Sequence, residues 1–96
     1  MKLVDPTDFD ILEVMEPGQR ETAPNIAEIL DKDRQYISNQ LSDLAGKGLV
    51  KKVGPSVRSG MYVITEKGQV AVRFRESYSH EAHVEFENLI EQELNK

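Results

Sequence analysis

Apolar side chains recur at helical spacing through most of this 96-residue chain, and the places where the spacing breaks divide it into elements. Residues 1–7 read as an extended lead-in, because Pro6 disfavours helix at Asp5, and Thr7 or Asp8 can cap a helix beginning there. That first helix runs to about Glu16, with Ile11, Leu12 and Met15 on one face, Phe9 close to it, and Asp8, Asp10, Glu13 and Glu16 expected in water. Pro17 and Gly18 end it. Residues 19–22 leave room for a few extended positions able to pair at a sheet edge.

The stretch PNIAEILDKDRQYISNQLSDLAGKGLV, residues 24–50, carries the strongest pattern. Ile26, Ile29 and Leu30 keep helical spacing, the repeat stops at residues 31–33, and Ile37, Leu41 and Leu44 resume it. This predicts two helices around a short turn. Thr22 can cap the first of them, with Pro24 in its first turn, and Asp33 can cap the second; Gly46 and Gly48 are the candidate stops. At about 100° per residue with Ile37 as zero, Leu41 falls near 40° and Leu44 near −20°, while Gln35, Ser38, Asn39 and Ser42 gather on the opposite side. That side is polar, uncharged and rich in hydrogen-bonding groups.

After Gly48, LVKKVG predicts a strand with Leu49 and Val53 inward and Lys51 or Lys52 outward; residues 61–65 predict a second. The intervening GPSVRSG favours a projecting hairpin loop. Thr65 can cap a further helix carrying Val70, Ala71 and Phe74. The pattern lapses over residues 76–80 and returns as Ala82, Phe86, Leu89, Ile90 and Leu94 among glutamates, which predicts a terminal amphipathic helix.

Charge alters the picture. The net charge is −5, yet residues 1–31 hold 2 basic and 8 acidic side chains, residues 32–60 hold 6 and 2, and residues 61–96 hold 4 and 7. The one basic segment thus contains the polar-faced helix and the hairpin, where phosphate contacts would be needed. There is no cysteine, which removes disulfides and thiol chemistry and fits a cytoplasmic protein. No apolar run approaches the roughly 20 residues of a membrane span, and MKLVDPTD has no signal-peptide core. No HExxH, P-loop or Ser/Thr with an evident base is present, so neither enzyme activity nor a cofactor is expected. His80 and His83, with Glu76 and Glu87 nearby, have helical spacing for a metal, but two histidines on a charged helix read more simply as exposed.

Helix, short strand, helix, helix, hairpin, helix is the order of a winged helix-turn-helix: α+β, mostly α, a three-helix core with a two- to three-stranded wing and C-terminal helices. The segments DILEVM, ETAPNIAEILDKDRQYISNQLSDLAGKGLVKKVG and MYVITEKG resemble the small archaeal winged-helix regulators typified by the repressor of a haloarchaeal phage. The resemblance covers roughly residues 8–70, through NIA at 25–27, RQY at 34–36, GLV at 48–50 and a Y-x-x-T-x-x-G ending at Gly68. It implies a transcriptional regulator with its third helix in the major groove of double-stranded DNA and its wing on the backbone.

The residues suit that role. Gln35 and Asn39 can form bidentate bonds to adenine, and Ser38 or Ser42 can reach base edges or phosphates; the plainer reading is a solvated helix face. Arg34 can read guanine, grip phosphate, or pair with Asp31 or Asp33. Tyr36 suits packing as well as phosphate contact. Lys51, Lys52 and Arg58 are expected on phosphates, with Arg58 and Ser59 at the wing tip, and Lys47 either joins them or favours the negative helix end. The expected layout is a DNA-binding domain at residues 1–76 and a dimerisation helix at 77–96, built on Ala82, Phe86, Leu89, Ile90 and Leu94, giving a homodimeric repressor on a pseudo-palindromic site. The rivals are a winged-helix module that binds protein and a small enzyme or metal sensor; the first gives no reason for confining basic residues to 32–60, and the second lacks a ligand constellation.

Overall fold

The computed structural model describes residues 1–56 and 58–96; Val57, in the expected wing, lies outside the described residues. The order is α1 (Thr7–Val14), β1 (Glu21–Thr22), α2 (Ala23–Leu30), α3 (Arg34–Gly46), β2 (Val50–Val53), β3 (Met61–Ile64), α4 (Glu66–Arg73), a 3-10 turn (Arg75–Ser77) and α5 (His83–Leu94). The protein is α+β and mostly helical, with a three-stranded antiparallel sheet ordered β1-β3-β2 among the described residues. Thr22 faces Met61 across one edge, and Val50 faces Ile64 across the other. The two residues of β1 therefore do pair at a sheet edge.

Three helix starts form as their caps predict. Thr22 accepts from the Asn25 amide, Asp33 from the Tyr36 amide, and Thr65 from the Gly68 amide, each satisfying a first-turn donor. Helix α3 stops at Gly46, and Gly48 takes the left-handed conformation at φ 79° that closes the end. The Leu49 amide reaches back to the Leu44 carbonyl and the Gly48 amide to that of Ala45, satisfying two orphan acceptors. The turn between α2 and α3 uses the same device with Asp31 at φ 54°, where the Lys32 amide bonds the Ala27 carbonyl.

One core joins all the helices: Phe9, Ile11 and Leu12 from α1, Ile26 and Ala27 from α2, Ile37, Leu41 and Leu44 from α3, Val70 and Ala71 from α4, and Phe86 and Ile90 from α5. The Phe9, Tyr78 and Phe86 rings meet at centroid distances of 5.1–5.9 Å. Arg75 closes this end, bonding Asp10 at 2.9 Å and Glu13 at 2.7 Å with its guanidinium over Phe9. The Glu13 hydrogen bond is the main influence holding Arg75 above its ordinary pKa.

Five expectations are corrected. Helix α1 ends at Val14 rather than Glu16, and no Thr7 or Asp8 side chain caps it. Asp8 is not in water but fully buried, since one turn before Ile11 and Leu12 it shares their face. Ile29 stands out to solvent. Leu49 is fully buried and both lysines are exposed as expected, but Val53 is only half-buried and Val50 is the buried residue of β2. No helix among the described residues is long and apolar enough to cross a membrane.

Candidate nucleic-acid interface

Helix α3 is held from its inner side. Ile37, Leu41 and Leu44 are fully buried against the core, and Gln40, on the flank of that stripe, donates to Asp8 Oδ1 at 2.8 Å. Asp8 also accepts the Val4 amide at 2.7 Å, so the buried carboxylate has a donor on each oxygen. Sequence reading missed Gln40. The available signal was its place beside Ile37 and Leu41 together with the place of Asp8 on the apolar face of α1.

With the inner side fixed, the outer one is left open. Arg34, Gln35, Tyr36, Ser38, Asn39 and Ser42 are all exposed, on a helix of 13 residues. Gln35 Nε2 donates to Asn39 Oδ1 at 3.1 Å, one turn away. Arg34, Gln35 and Ser38 line an open groove with Ala23 and Pro24, where the starts of α2 and α3 come together. Among the described residues Arg34 pairs with neither Asp31 nor Asp33, which removes one of its three readings. Tyr36 is 37% exposed, its ring outside the core.

Helix α3 packs against β2, whose exposed Lys51 and Lys52 lie opposite Val63 and Tyr62, Lys52 on the face it shares with Val50 and Tyr62 and Lys51 on the other. Beyond them the hairpin loop is drawn tight by its own hydrogen bonds: the Ser59 amide to the Ser56 carbonyl at 3.0 Å, and the Arg58 amide to Ser56 Oγ at 3.1 Å. Ser59 Oγ accepts the Ser56 amide, so this hydroxyl holds the tip together, whereas Arg58 is exposed.

Ion pairing separates the cations into two groups. Lys67 pairs with Glu91, Arg73 and Lys96 with Glu93, and Arg75 with Asp10 and Glu13, so the basic side chains after β3 are all engaged by carboxylates. Among the described residues Lys32, Arg34, Lys51, Lys52 and Arg58 have no such partner, nor do Lys2 and Arg20 elsewhere in the chain; Lys47 pairs with Asp43, four residues back on α3. Lys32, in the α2–α3 turn, was not among the expected contacts.

The expected dimer residues have a different setting. Phe86 is 1% exposed and Ile90 fully buried inside the chain's own core, and Leu94 packs against it; Ala82 and Leu89 are half-buried. Helix α5 thus completes the core shared with residues 1–76. His80 and His83 lie with ring centroids 6.3 Å apart, and His83 Nδ1 is 3.3 Å from the Met1 ammonium. Desolvation, followed by that positive charge, pushes the His83 pKa down.

No protein-family model, curated protein or solved structure matches the chain.

Proposed function

We propose that the protein is a sequence-specific double-stranded DNA-binding regulator of the winged helix-turn-helix kind, with α3 in the major groove and the β2–β3 hairpin as a wing on the backbone. The observation that carries this is the coincidence of an exposed, uncharged hydrogen-bonding face on α3 with a group of five cations, Lys32, Arg34, Lys51, Lys52 and Arg58, that no carboxylate engages among the described residues. A groove about 12 Å wide admits a helix, and its base edges are read by the amide and hydroxyl groups that Gln35, Ser38, Asn39 and Ser42 present. Phosphates on either side take Arg34, Lys51, Lys52 and Arg58, which need give up no ion pair to reach them. The acidic remainder of the surface discourages indiscriminate binding to the polyanion.

A repressor is the simplest regulator of this design, since occupying a promoter suffices to block it. One helix reads few base pairs, so two copies on half-sites one helical turn apart would supply the specificity. Such a pair would use surfaces other than Phe86 and Ile90; Val84, 54% exposed, and Leu89 are the apolar residues of α5 that remain available.

The test is a titration of isotopically labelled protein with duplex DNA, monitored through backbone amide shifts. The expected result is perturbation at Arg34, Gln35, Ser38, Asn39 and Ser42 and along the hairpin, with α5 little changed. Shifts spread evenly over the surface, or none, would overturn the reading.

A further inference from the structure

We propose that Gln35 and Asn39 form a single reading unit, in which Gln35 recognises one adenine in the major groove and Asn39 is the positioning residue that holds its amide. The inference rests on the DNA-binding reading above and assigns different roles to two residues that their composition would make equivalent.

The geometry sets the roles. Gln35 lies in the first turn of α3, the end of a recognition helix that meets base edges, and it lines the open groove beside Pro24, where its side chain has room to extend. Glutamine carries a long, freely rotating side chain and loses much rotamer freedom when fixed. Here one of its two Nε2 hydrogens is donated to Asn39 Oδ1 at 3.1 Å, across the i, i+4 spacing that brings side chains together on a helix. What remains on Gln35 is a carbonyl oxygen and one N–H on the same planar group. Adenine presents the complement in the major groove, an N6 amino donor and an N7 acceptor.

Asn39 is differently placed. One of the two lone pairs on its oxygen is taken by Gln35, and that bond holds the oxygen toward the Gln35 amide, away from the orientation a bidentate contact of its own would need. Its Nδ2 hydrogens remain to reach a neighbouring acceptor. Ser38 and Ser42 are exposed on the same face, and neither hydroxyl competes for the Gln35 amide among the described hydrogen bonds. All four positions are on the surface, so substitution there leaves the core intact.

The experiment begins with selection of bound duplexes from a random pool by the full chain. Affinity is then measured on the selected duplex and on versions with each adenine replaced by 7-deazaadenine, which lacks N7. The proteins are the parent chain, Gln35→Ala, Asn39→Ala, the double variant and Asn39→Asp. The parent should lose roughly 5- to 150-fold at one adenine, the cost of leaving the Gln35 N–H in the interface without its N7 acceptor. Gln35→Ala should abolish that discrimination, Asn39→Ala should remove most of it, and the double variant should resemble Gln35→Ala alone. Asn39→Asp keeps an acceptor for Gln35, so it should bind all duplexes more weakly yet retain the preference for N7. Independent, multiplicative losses, or full discrimination in Asn39→Ala, would overturn the coupled unit while leaving DNA reading intact. A pool that shows no enrichment would overturn both.

Discussion

Gln40 of α3 donates through Nε2 to Oδ1 of Asp8, a fully buried carboxylate of α1, at 2.8 Å. The bond crosses from the first helix to the one whose outer face is proposed to read DNA, and it fixes that face by holding its back. Gln40→Ala should therefore leave a buried acceptor short of a donor and destabilise the fold by about 1–3 kcal/mol. Urea denaturation checks the loss. A variant as stable as the parent would mean that water or a neighbouring group replaces the amide.

Gly68 meets a harder constraint. It lies in the first turn of α4 against the chain leaving α3, and a Cβ there would stand 2.1 Å from the Leu49 carbonyl oxygen. That carbonyl is already tied to the Thr65 amide at 3.1 Å, and the Thr65 hydroxyl donates to the Gly48 carbonyl at 2.6 Å, so the backbone has little freedom to withdraw. Gly68→Ala should destabilise by about 3 kcal/mol or more, as overpacking against backbone does. A thermal midpoint unchanged from the parent would show that α4 can shift without loss.

Phe86 belongs to the same core as α1 through its edge-to-face contact with Phe9 at 5.9 Å. Phe86→Ala should destabilise by about 3–5 kcal/mol, and deleting residues after Ser77 should prevent stable folding rather than release a folded monomer. Circular dichroism and denaturant titration measure both. A truncated chain that unfolds cooperatively at the parent's midpoint would make α5 dispensable.

Much of this was readable from the residues and some was not, for identifiable reasons. Thr22, Asp33 and Thr65 announce helix starts because a cap depends on one side chain and the amides two or three residues on. Ile37, Leu41 and Leu44 announce their face because the helical period is local. The Y-x-x-T-x-x-G of residues 62–68 is explained by the fold: Tyr62 is buried in β3, Thr65 caps α4 and bonds back to Gly48, and Gly68 permits the close approach to Leu49. Asp8 and Gln40 were illegible as a pair because they lie 32 residues apart, and each alone looks like a surface residue. Phe86 and Ile90 fit an outward dimer seam and an inward core equally well by periodicity. Only the tertiary placement of α5 separates those outcomes.

Lys51 and Lys52 are exposed on β2, with no carboxylate partner among the described residues. If each meets a phosphate, Lys51→Ala and Lys52→Ala should weaken binding on every sequence and each reduce the salt slope of log affinity by about 0.9. Affinity measured across a salt series gives both quantities. A slope equal to the parent's would take the strand and hairpin off the DNA.

Whether the outer face of α3 reads base sequence is tested most directly by selection of bound fragments from random duplex DNA at several salt concentrations. The predicted result is enrichment of a short defined motif that survives rising salt better than bulk binding does, and loss of the motif when Gln35 and Asn39 are both replaced by alanine. A selected pool no different from the input, or one whose motif is unchanged in that double variant, would contradict the assignment.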